Sequence, residues 1–150
     1  MDLELKELID RYQYAMNTVY RSVNAILKDK VHSDITTDQF STLHHILHHE
    51  HTTSTDISTI FGIGKSAVTA QINKLHDKGL INRERDQDDR RIVYLHVTDR
   101  GRDFVDYTEK ELYNVLGTYL SNFDKKEIRV FIESLEKLAA IMEKDKGGTK

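Results

Sequence analysis

Two short helical patterns with glycines between them constrain the fold of this chain most. The first can be capped by Thr53 or Ser54, with Asp56 in its first turn. Its apolar residues lie at helical spacing and are Ile57, Ile60 and Phe61. The second pattern occupies residues 65–78, and its apolar face consists of Val68, Ile72 and Leu75. Because Gly62 and Gly64 break the period between them, the two segments are predicted to form a helix-turn-helix.

The apolar period changes after Gly79, which is placed for a left-handed cap at the end of the second helix. Residues 80–83 and 91–98 are typical of two strands. The alternating apolar positions of the second strand are Ile92, Val93, Tyr94, Leu95 and Val97. Since the connecting residues 84–90 are all polar, the sequence predicts a two-stranded hairpin with a charged tip.

Before this central segment, an amphipathic helix is predicted over about residues 3–29, where apolar residues follow one helical stripe. A turn at residues 31–36 leads to another helix, which Thr36 or Thr37 can cap. That helix should end near the polar run at residues 48–54. Its buried side is formed by Phe40, Leu43, Ile46 and Leu47.

After the hairpin, Thr98 can cap a long helix that ends near Phe123, and Asp124 opens a last one. Residues 144–150 are predicted to form a frayed tail. The chain has no proline and only seven glycines, so strands should be few.

The predicted fold class is mainly α with a small two- or three-stranded β-wing, in a single domain over residues 1–150. About residues 36–102 form the winged helix-turn-helix lobe. About residues 1–30 and 103–146 form helices with more apolar surface than that lobe can cover, which predicts a homodimer.

Composition excludes several classes of protein. With no cysteine, disulfides and thiolate metal sites are absent, which favours an intracellular location. Charged residues make up 31%, and no apolar run approaches the about 18 residues that a membrane span needs. The N-terminus is charged from Asp2 onward, unlike a signal peptide, so we expect a cytoplasmic protein. An enzyme is not expected either, because the sequence has no nucleophile motif, phosphate loop or HExxH.

Charge is distributed unevenly along the chain. The net charge is −3, yet residues 65–102 hold nine Lys and Arg against six Asp and Glu, a local excess of +3. The remaining residues hold 13 against 19, or −6. Such a distribution is typical of a binding face for a polyanion on an acidic body.

The helix at residues 65–78 has an outward face suited to the major groove of duplex DNA. A helical wheel turns small and hydrogen-bonding side chains outward when the apolar residues point inward. The predicted DNA-binding residues of this helix are Lys65, Ser66, Ala67, Thr69, Ala70, Asn73 and Lys74. Asn can pair with adenine, Thr and Ala methyls can contact thymine, and Ser or Lys can reach phosphate. An ordinary solvated helix face is the alternative.

The hairpin tip places arginines beside carboxylates. Asp89 is spaced to hold Arg91 by a charge-assisted hydrogen bond while the guanidinium enters a narrow minor groove. A charged hairpin without a ligand would have the same composition. It would not account for the position of the hairpin directly after a helix-turn-helix.

The segment KSAVTAQINKLHDKGLINRERDQDDRRIVYLHVTDRG, residues 65–101, resembles the helix-plus-wing signature of the MarR family of bacterial regulators. The markers are the pair Val68 and Thr69 with Leu75, residues 78–80, the tip at 86–91 and residues 95–101. The order of six helices fits the same family. The resemblance implies a regulated repressor or activator, a homodimer with two wings whose first, fifth and sixth helices interlock. No cofactor is expected.

Carried over by position, the resemblance implies that the outward face of the fourth helix meets the major groove. The residues concerned are Ser66, Ala67, Thr69, Ala70 and Asn73. It also implies that Arg91, held by Asp89, enters the minor groove, with Arg90 near the phosphate backbone. Family members often carry Arg or Lys where this chain has Ala70, so the operator is expected to be A·T-rich.

A histidine cluster at the end of the second helix offers an alternative function, a zinc-responsive regulator. Its members are His44, His45, His48, His49 and His51. Two i,i+4 pairs among them could each bind a borderline metal. The other interpretation is that histidines near a helix C-terminus favour the helix dipole and otherwise meet solvent. Zinc-sensing relatives take ligands from the starts of the second and fifth helices, where this chain has no histidine, so no metal site is predicted.

A possible effector pocket lies between the helical region and the DNA-binding lobe. Tyr12, Met16 and Tyr20 on the first helix could line it together with His44, and the resemblance implies a small aromatic or lipophilic effector. Packing is the alternative use of an aromatic stripe.

A purely structural helical dimer is a further alternative for the whole protein. Salt-dependent binding to duplex DNA would distinguish a regulator from such a dimer.

Overall fold

The computed structural model of this protein describes residues 2–146. This part of the chain contains six helices and two strands. They are α1 (Leu3–Lys30), α2 (Thr37–His48), α3 (Ser54–Phe61), α4 (Lys65–Asp77), β1 (Ile81–Arg85), β2 (Val93–Val97), α5 (Asp99–Leu120) and α6 (Lys125–Lys146). The two strands form one antiparallel sheet, so the predicted fold class, mainly α with a small wing, is confirmed.

Side-chain caps begin the helices where the sequence predicts them. At α2, Thr36 accepts from the backbone N–H of Gln39, whose side chain accepts from the N–H of Thr36 in return. Thr53 and Asp56 form the same reciprocal pair at α3. Such boxes each satisfy two backbone donors that a helix N-terminus leaves without partners. The start of both helices is therefore encoded locally.

The junction between α4 and β1 is a tight turn built on Gly79. Gly79 has a φ of 72°, and its N–H donates to the carbonyl of His76 at 2.8 Å. The N–H of Leu80 donates to the carbonyl of Leu75 at 3.0 Å. These two bonds define a Schellman motif, in which the residues equivalent to Leu75 and Leu80 make an apolar contact. Both side chains are buried, and β1 begins at the next residue.

The hairpin differs from its predicted limits by one to two residues at each end. Leu80 belongs to the turn, so β1 covers 81–85 rather than the predicted 80–83. At the other end of the hairpin, Ile92 donates its N–H to the carbonyl of Asp89, which keeps residues 91 and 92 in the tip. β2 accordingly covers 93–97 rather than 91–98. The isolated bridge between Thr53 and Tyr94 joins the start of α3 to the wing.

Gly101 lies where the first turn of α5 passes the start of β1. The Oγ1 of Thr98 accepts from its N–H at 3.0 Å, and the N–H of Thr98 donates to the carbonyl of Leu80 at 3.0 Å. A Cβ at position 101 would lie 2.2 Å from that carbonyl oxygen and 2.6 Å from Cγ1 of Val97. The close approach of helix and strand at this point therefore requires glycine.

The apolar core joins α2, α3, α4, both strands and the start of α5. Its most deeply buried side chains are Leu43, Ile57, Val68, Leu75, Ile81, Leu95 and Val105. Phe61 packs against this cluster as predicted. Ile60 does not, since it is 51% exposed, and its assignment to the apolar side of α3 was wrong.

Contacts divide the chain into two compact units, Met1–Leu112 and Tyr113–Lys150. The first contains the core, and the second contains the end of α5 and α6, which Asp124 caps by accepting from the N–H of Glu127 at 2.8 Å. The single domain over 1–150 stays a prediction. The frayed tail was wrong for residues 144–146, because α6 continues to Lys146, and residues 147–150 lie outside the described part. No helix within residues 2–146 is long and apolar enough to cross a membrane.

Candidate nucleic-acid interface

The outward face of α4 carries no large apolar side chain. Val68, Ile72 and Leu75 are at most 2% exposed and point into the core. The residues that the helical wheel turns outward are exposed, and they are Ser66, Ala67, Thr69, Ala70 and Asn73. Thr69 donates its hydroxyl to the carbonyl of Lys65 at 2.9 Å, which leaves its methyl group and an oxygen lone pair for an external partner.

A cleft of about 290 Å³ lies between α3 and α4. It is lined by Ser54, Thr55, Ser58, Lys65, Val68 and Thr69. The hydroxyls of Ser54 and Thr55 at the start of α3 and the ammonium group of Lys65 at the start of α4 can donate to an anion such as a phosphate. The cleft therefore lies beside the exposed face of α4 and has the chemistry to hold one backbone phosphate.

Lys74 does not extend freely from this face. Its Nζ is 2.8 Å from the carbonyl oxygen of Asp34 and 3.2 Å from the carboxylate of the same residue. Lys78 Nζ lies 2.6 Å from the second carboxylate oxygen. The two ammonium groups, Lys78 first, lower the pKa of Asp34 to about 2. Asp34 thus ties the loop between α1 and α2 to the end of α4, and a phosphate contact by Lys74 would have to compete with it.

Asn73 also has a partner within the lobe. Arg83, on β1, donates from Nη2 to Oδ1 of Asn73 at 2.5 Å. Both side chains are exposed, so the pair lies at the surface beside α4. The residues predicted from the sequence for this helix are thereby brought next to an arginine that the prediction did not include.

The wing tip holds Arg91 in the arrangement predicted from its spacing to Asp89. The guanidinium donates from Nε to Oδ1 at 3.0 Å and from Nη2 to Oδ2 at 2.9 Å. Its side chain is nevertheless 90% exposed. The hydrogen bonds from Arg91 lower the pKa of Asp89, while Asp89 raises the pKa of Arg91. A fixed, fully charged guanidinium therefore projects from the tip.

Neighbouring residues of the hairpin stabilise this tip by hydrogen bonds. Asp86 accepts from the N–H of Asp88 at 2.9 Å and from the hydroxyl of Tyr94 at 3.1 Å. The hydrogen bond to Asp86 raises the pKa of Tyr94. Arg85 donates from Nη1 to the backbone carbonyl of Arg90 at 2.8 Å. Because this bond uses only the backbone of Arg90, the exposed side chain of Arg90 is available for an external anion.

Four rings of the histidine cluster lie against each other in two pairs. The rings of His45 and His49 stack at 3.9 Å between centroids with an interplanar angle of 10°, and those of His44 and His48 lie 4.3 Å apart. Burial, and next the charge of His49, lower the pKa of His45. Among residues 2–146, no group of three or more His, Cys, Asp or Glu side chains is arranged to hold a metal ion. Nothing in this geometry favours the zinc-responsive alternative.

The residues predicted for an effector pocket lie on two helices. Tyr12, Met16 and Tyr20 are between 38% and 46% exposed along α1. Tyr20 donates its hydroxyl to Asp38 at 2.9 Å. On α2, His44 Nε2 lies 3.1 Å from Oε1 of Glu109 on α5. The effector pocket stays a prediction.

Two residues that the sequence prediction missed shape this surface. Arg83 has a signal that could have revealed it, because the period of a strand places it on the same face as Ile81, toward α4. Asp34 has none, since it is 40 residues before Lys74 in a polar turn. Only the folded chain brings Asp34 and Lys74 together.

The central part of the chain matches a known family of proteins. The model of the MarR family matches residues 33–92. The HTH-type transcriptional regulator YdgJ of Bacillus subtilis (strain 168), described as uncharacterized, is 28% identical over 93 residues, 62% of this chain. The chain matches only 57% of the length of that protein.

Solved structures have the same fold over nearly the whole chain. FabT of Streptococcus pneumoniae, crystallised in complex with DNA, aligns with a TM-score of 0.77 at 24% identity and covers 93% of this chain and 98% of its own. The transcriptional regulator BldR from Sulfolobus solfataricus aligns with a TM-score of 0.75 at 25% identity, over 93% and 99% of the two chains.

Proposed function

We propose that this chain, whose residues 33–92 match the model of the MarR family, is a winged helix-turn-helix transcriptional repressor of that family that binds duplex DNA as a homodimer. Its target is a pseudo-palindromic operator, with α4 in the major groove and the wing in the minor groove. The DNA complex of the structurally similar FabT is consistent with this proposal.

The observation that carries the proposal is the geometry of Arg91. A guanidinium that is paired on one edge by Asp89 and yet 90% exposed is held in a single orientation with its charge toward solvent. Such a group suits the narrow minor groove, where the negative potential is enhanced and side chains read width rather than sequence. The exposed small side chains of α4 complete the surface, because they allow a helix to lie deep in the major groove.

Two such lobes in a symmetric dimer must meet successive major grooves on one side of the duplex. The half-sites should therefore lie about one helical turn apart, roughly 34 to 36 Å. The two elements have different roles in binding: base contacts by α4 supply specificity, and the wing supplies affinity for any sequence.

The test is a titration of the parent and Arg91→Ala against operator and random duplex at several salt concentrations. Loss of one phosphate-neutralising contact per wing should weaken binding to both duplexes and reduce the salt slope by about one unit per arm. Arg11→Ala, which removes an exposed arginine of α1, is the matched control for net charge. Equal binding by Arg91→Ala and the parent to both duplexes would contradict the proposed role of the wing.

The homodimer is supported by apolar side chains that each protomer leaves exposed. On α1, Leu5, Leu8 and Val19 are at least 50% exposed, and on α6, Phe131 and Ile141 are 54% and 51% exposed. Exposed apolar side chains along a helix mark association sites. Replacing Leu135 and Leu138 together by Glu should yield monomer or aggregate in sedimentation equilibrium. A folded native monomer at micromolar concentration would contradict the dimer.

Release of the operator by a small aromatic or lipophilic effector is the regulatory part of the proposal. The half-exposed stripe of Tyr12, Met16 and Tyr20 supports it, because apolar pockets with a few polar groups bind such ligands. A panel of aromatic acids and fatty acids should contain a compound that weakens operator binding by the parent and not by Met16→Glu. Tyr14→Ala, at a position 74% exposed on α1, should respond like the parent. If no member of the panel weakens binding by the parent, the effector proposal fails.

A further inference from the structure

The face of the hairpin that covers the core also carries Arg83. In the antiparallel register, Ile81 lies opposite Val97 and Arg83 lies opposite Leu95. Residues opposite each other share a face, and so do residues two apart on one strand. Because Ile81 and Leu95 are buried, the side chain of Arg83 starts from the same inward face. The strand thus directs Arg83 back over α4 instead of away from it.

The short junction between α4 and β1 fixes this approach. The Schellman turn at Gly79 leaves one residue, Leu80, between the helix cap and the first residue of the strand. Arg83 therefore returns along the last turns of α4 and donates to Oδ1 of Asn73 at 2.5 Å. The contact spans only ten residues of sequence, and the residues between its partners include the buried Leu75, Leu80 and Ile81.

The chemistry of the two groups sets the orientation of the Asn73 amide. A guanidinium has five N–H donors and no acceptor, so the amide must turn its oxygen toward Arg83. That bond uses one oxygen lone pair and directs the carbonyl at the positive charge. The Nδ2 group, with two N–H donors, lies on the opposite side of the amide. Together the pair presents donors to a ligand, from Nδ2 and from the remaining N–H groups of Arg83.

Donor-only groups select among bases by the pattern of the major-groove edge. Guanine offers two acceptors, O6 and N7, whereas adenine pairs its N7 acceptor with the N6 donor, and cytosine offers a donor. The two-bond contact between Asn and adenine needs the amide oxygen and nitrogen side by side at the base. With the oxygen drawn toward Arg83, that arrangement is disfavoured.

We propose that Arg83 is a specificity-determining residue, which holds the Asn73 amide as a donor so that the pair reads guanine at one symmetric position in each half-site. This inference rests on the proposed function, because it requires α4 to lie in the major groove. The proposed guanine contact replaces the adenine contact expected from Asn73 alone. It also places the guanidinium of Arg83 beside α4, which has Ala70 where relatives often have Arg or Lys.

The experiment is selection of bound duplexes from a randomised DNA pool, followed by sequencing and by titration of single-base variants of the selected operator. The position read by Asn73 is the one at which Asn73→Ala loses its preference. There the parent should prefer guanine over adenine by about tenfold, within the range that one good base contact supplies. Arg83→Met frees the amide to rotate, so its preference at this position should move to adenine.

Two further variants separate this inference from a general effect of charge. Arg85→Met removes the same charge from the same strand without touching Asn73, so it should weaken binding and keep the guanine preference. Asn73→Asp keeps an acceptor for Arg83 but has no Nδ2 donor, so its guanine preference should decrease. Circular dichroism of each variant checks that the lobe is folded.

The outcomes distinguish this inference from the proposed function. If the parent selects no sequence from the pool, the proposed function fails. If the parent selects an operator and Arg83→Met keeps the same guanine preference at the Asn73 position, the assignment of Arg83 is overturned while the regulator remains. An adenine preference in the parent at that position would overturn it as well.

Discussion

Replacing Gly101 by alanine tests how closely α5 and β1 are packed. The new Cβ would lie 2.2 Å from the carbonyl oxygen of Leu80, whereas real Cβ atoms essentially never approach another atom closer than 3.0 Å. The helix start must therefore move by at least 0.8 Å, the difference between these two distances. The same oxygen accepts the N–H of Thr98, so the movement weakens that hydrogen bond too.

The expected loss of stability follows from three contributions. Overpacking of a core costs about 1 to 3 kcal/mol, and loss of one hydrogen bond costs about 1 kcal/mol. Alanine is favoured over glycine in a helix by about 1 kcal/mol, which offsets part of this. We expect Gly101→Ala to lower the free energy of unfolding by about 2 kcal/mol, which lowers Tm by about 4 to 8 °C in a chain of this size.

Urea denaturation followed by circular dichroism measures this loss. All variants are compared at one protomer concentration, because the stability of a dimer depends on it. Gly117→Ala is the control in the same helix, since a Cβ at Gly117 has no atom within 4 Å in the protomer, and it should be neutral or stabilising. A Gly101→Ala protein as stable as the parent would refute the close approach of helix and strand.

Three other perturbations have expected outcomes. Thr108 is fully buried, and its hydroxyl has no hydrogen-bond partner among the described residues, so Thr108→Val should raise the unfolding free energy by about 1 to 2 kcal/mol; a destabilised variant in the same urea assay would contradict this. Asp34 has a lowered pKa of about 2, so its ionised form stabilises the fold above its ordinary pKa of 3.8 and this contribution is lost as the pH falls toward 2. Asp34→Asn should therefore be less stable than the parent at pH 7, with the difference narrowing below pH 4; a difference that does not depend on pH would count against the ion pairs. The pKa of His45 is lowered from 6.5, so the unfolded chain binds the proton more readily and stability should fall as the pH drops through 6.5. His45→Gln should make this pH dependence shallower, and an unchanged slope would argue against a neutral His45 in the folded state.

The helices could be predicted from the sequence because their signals are local. Caps such as Thr36, Thr53 and Asp124 satisfy backbone donors within three residues of themselves, and the apolar period identifies the buried face of α4. The start of β2 was shifted because Asp89 holds residues 91 and 92 in the tip: its side chain accepts from the N–H of Arg91, and its backbone carbonyl accepts from the N–H of Ile92. Periodicity does not report such contacts.

The candidate interface was predictable only in part. The outward face of α4 and the Asp89 to Arg91 pair follow from helical geometry and from a spacing of two residues. The strand period indicates that Arg83 faces α4, but its contact with Asn73 and the contact of Asp34 with Lys74 are defined by the way the elements pack. Ile60 was misplaced for a similar reason, since helical spacing cannot tell how far the core extends around a short helix.

The turn at Gly79 also bears on how the length of this chain can change during evolution. An extra residue between α4 and β1 would exchange the two faces of the strand, because the side-chain period is two. Ile81 would then turn outward and Arg83 would turn away from α4. At the exposed tip, near Gln87, an added residue would only lengthen a solvated loop. Insertions and deletions should therefore be tolerated at the tip of the wing and eliminated by selection at its junction with α4.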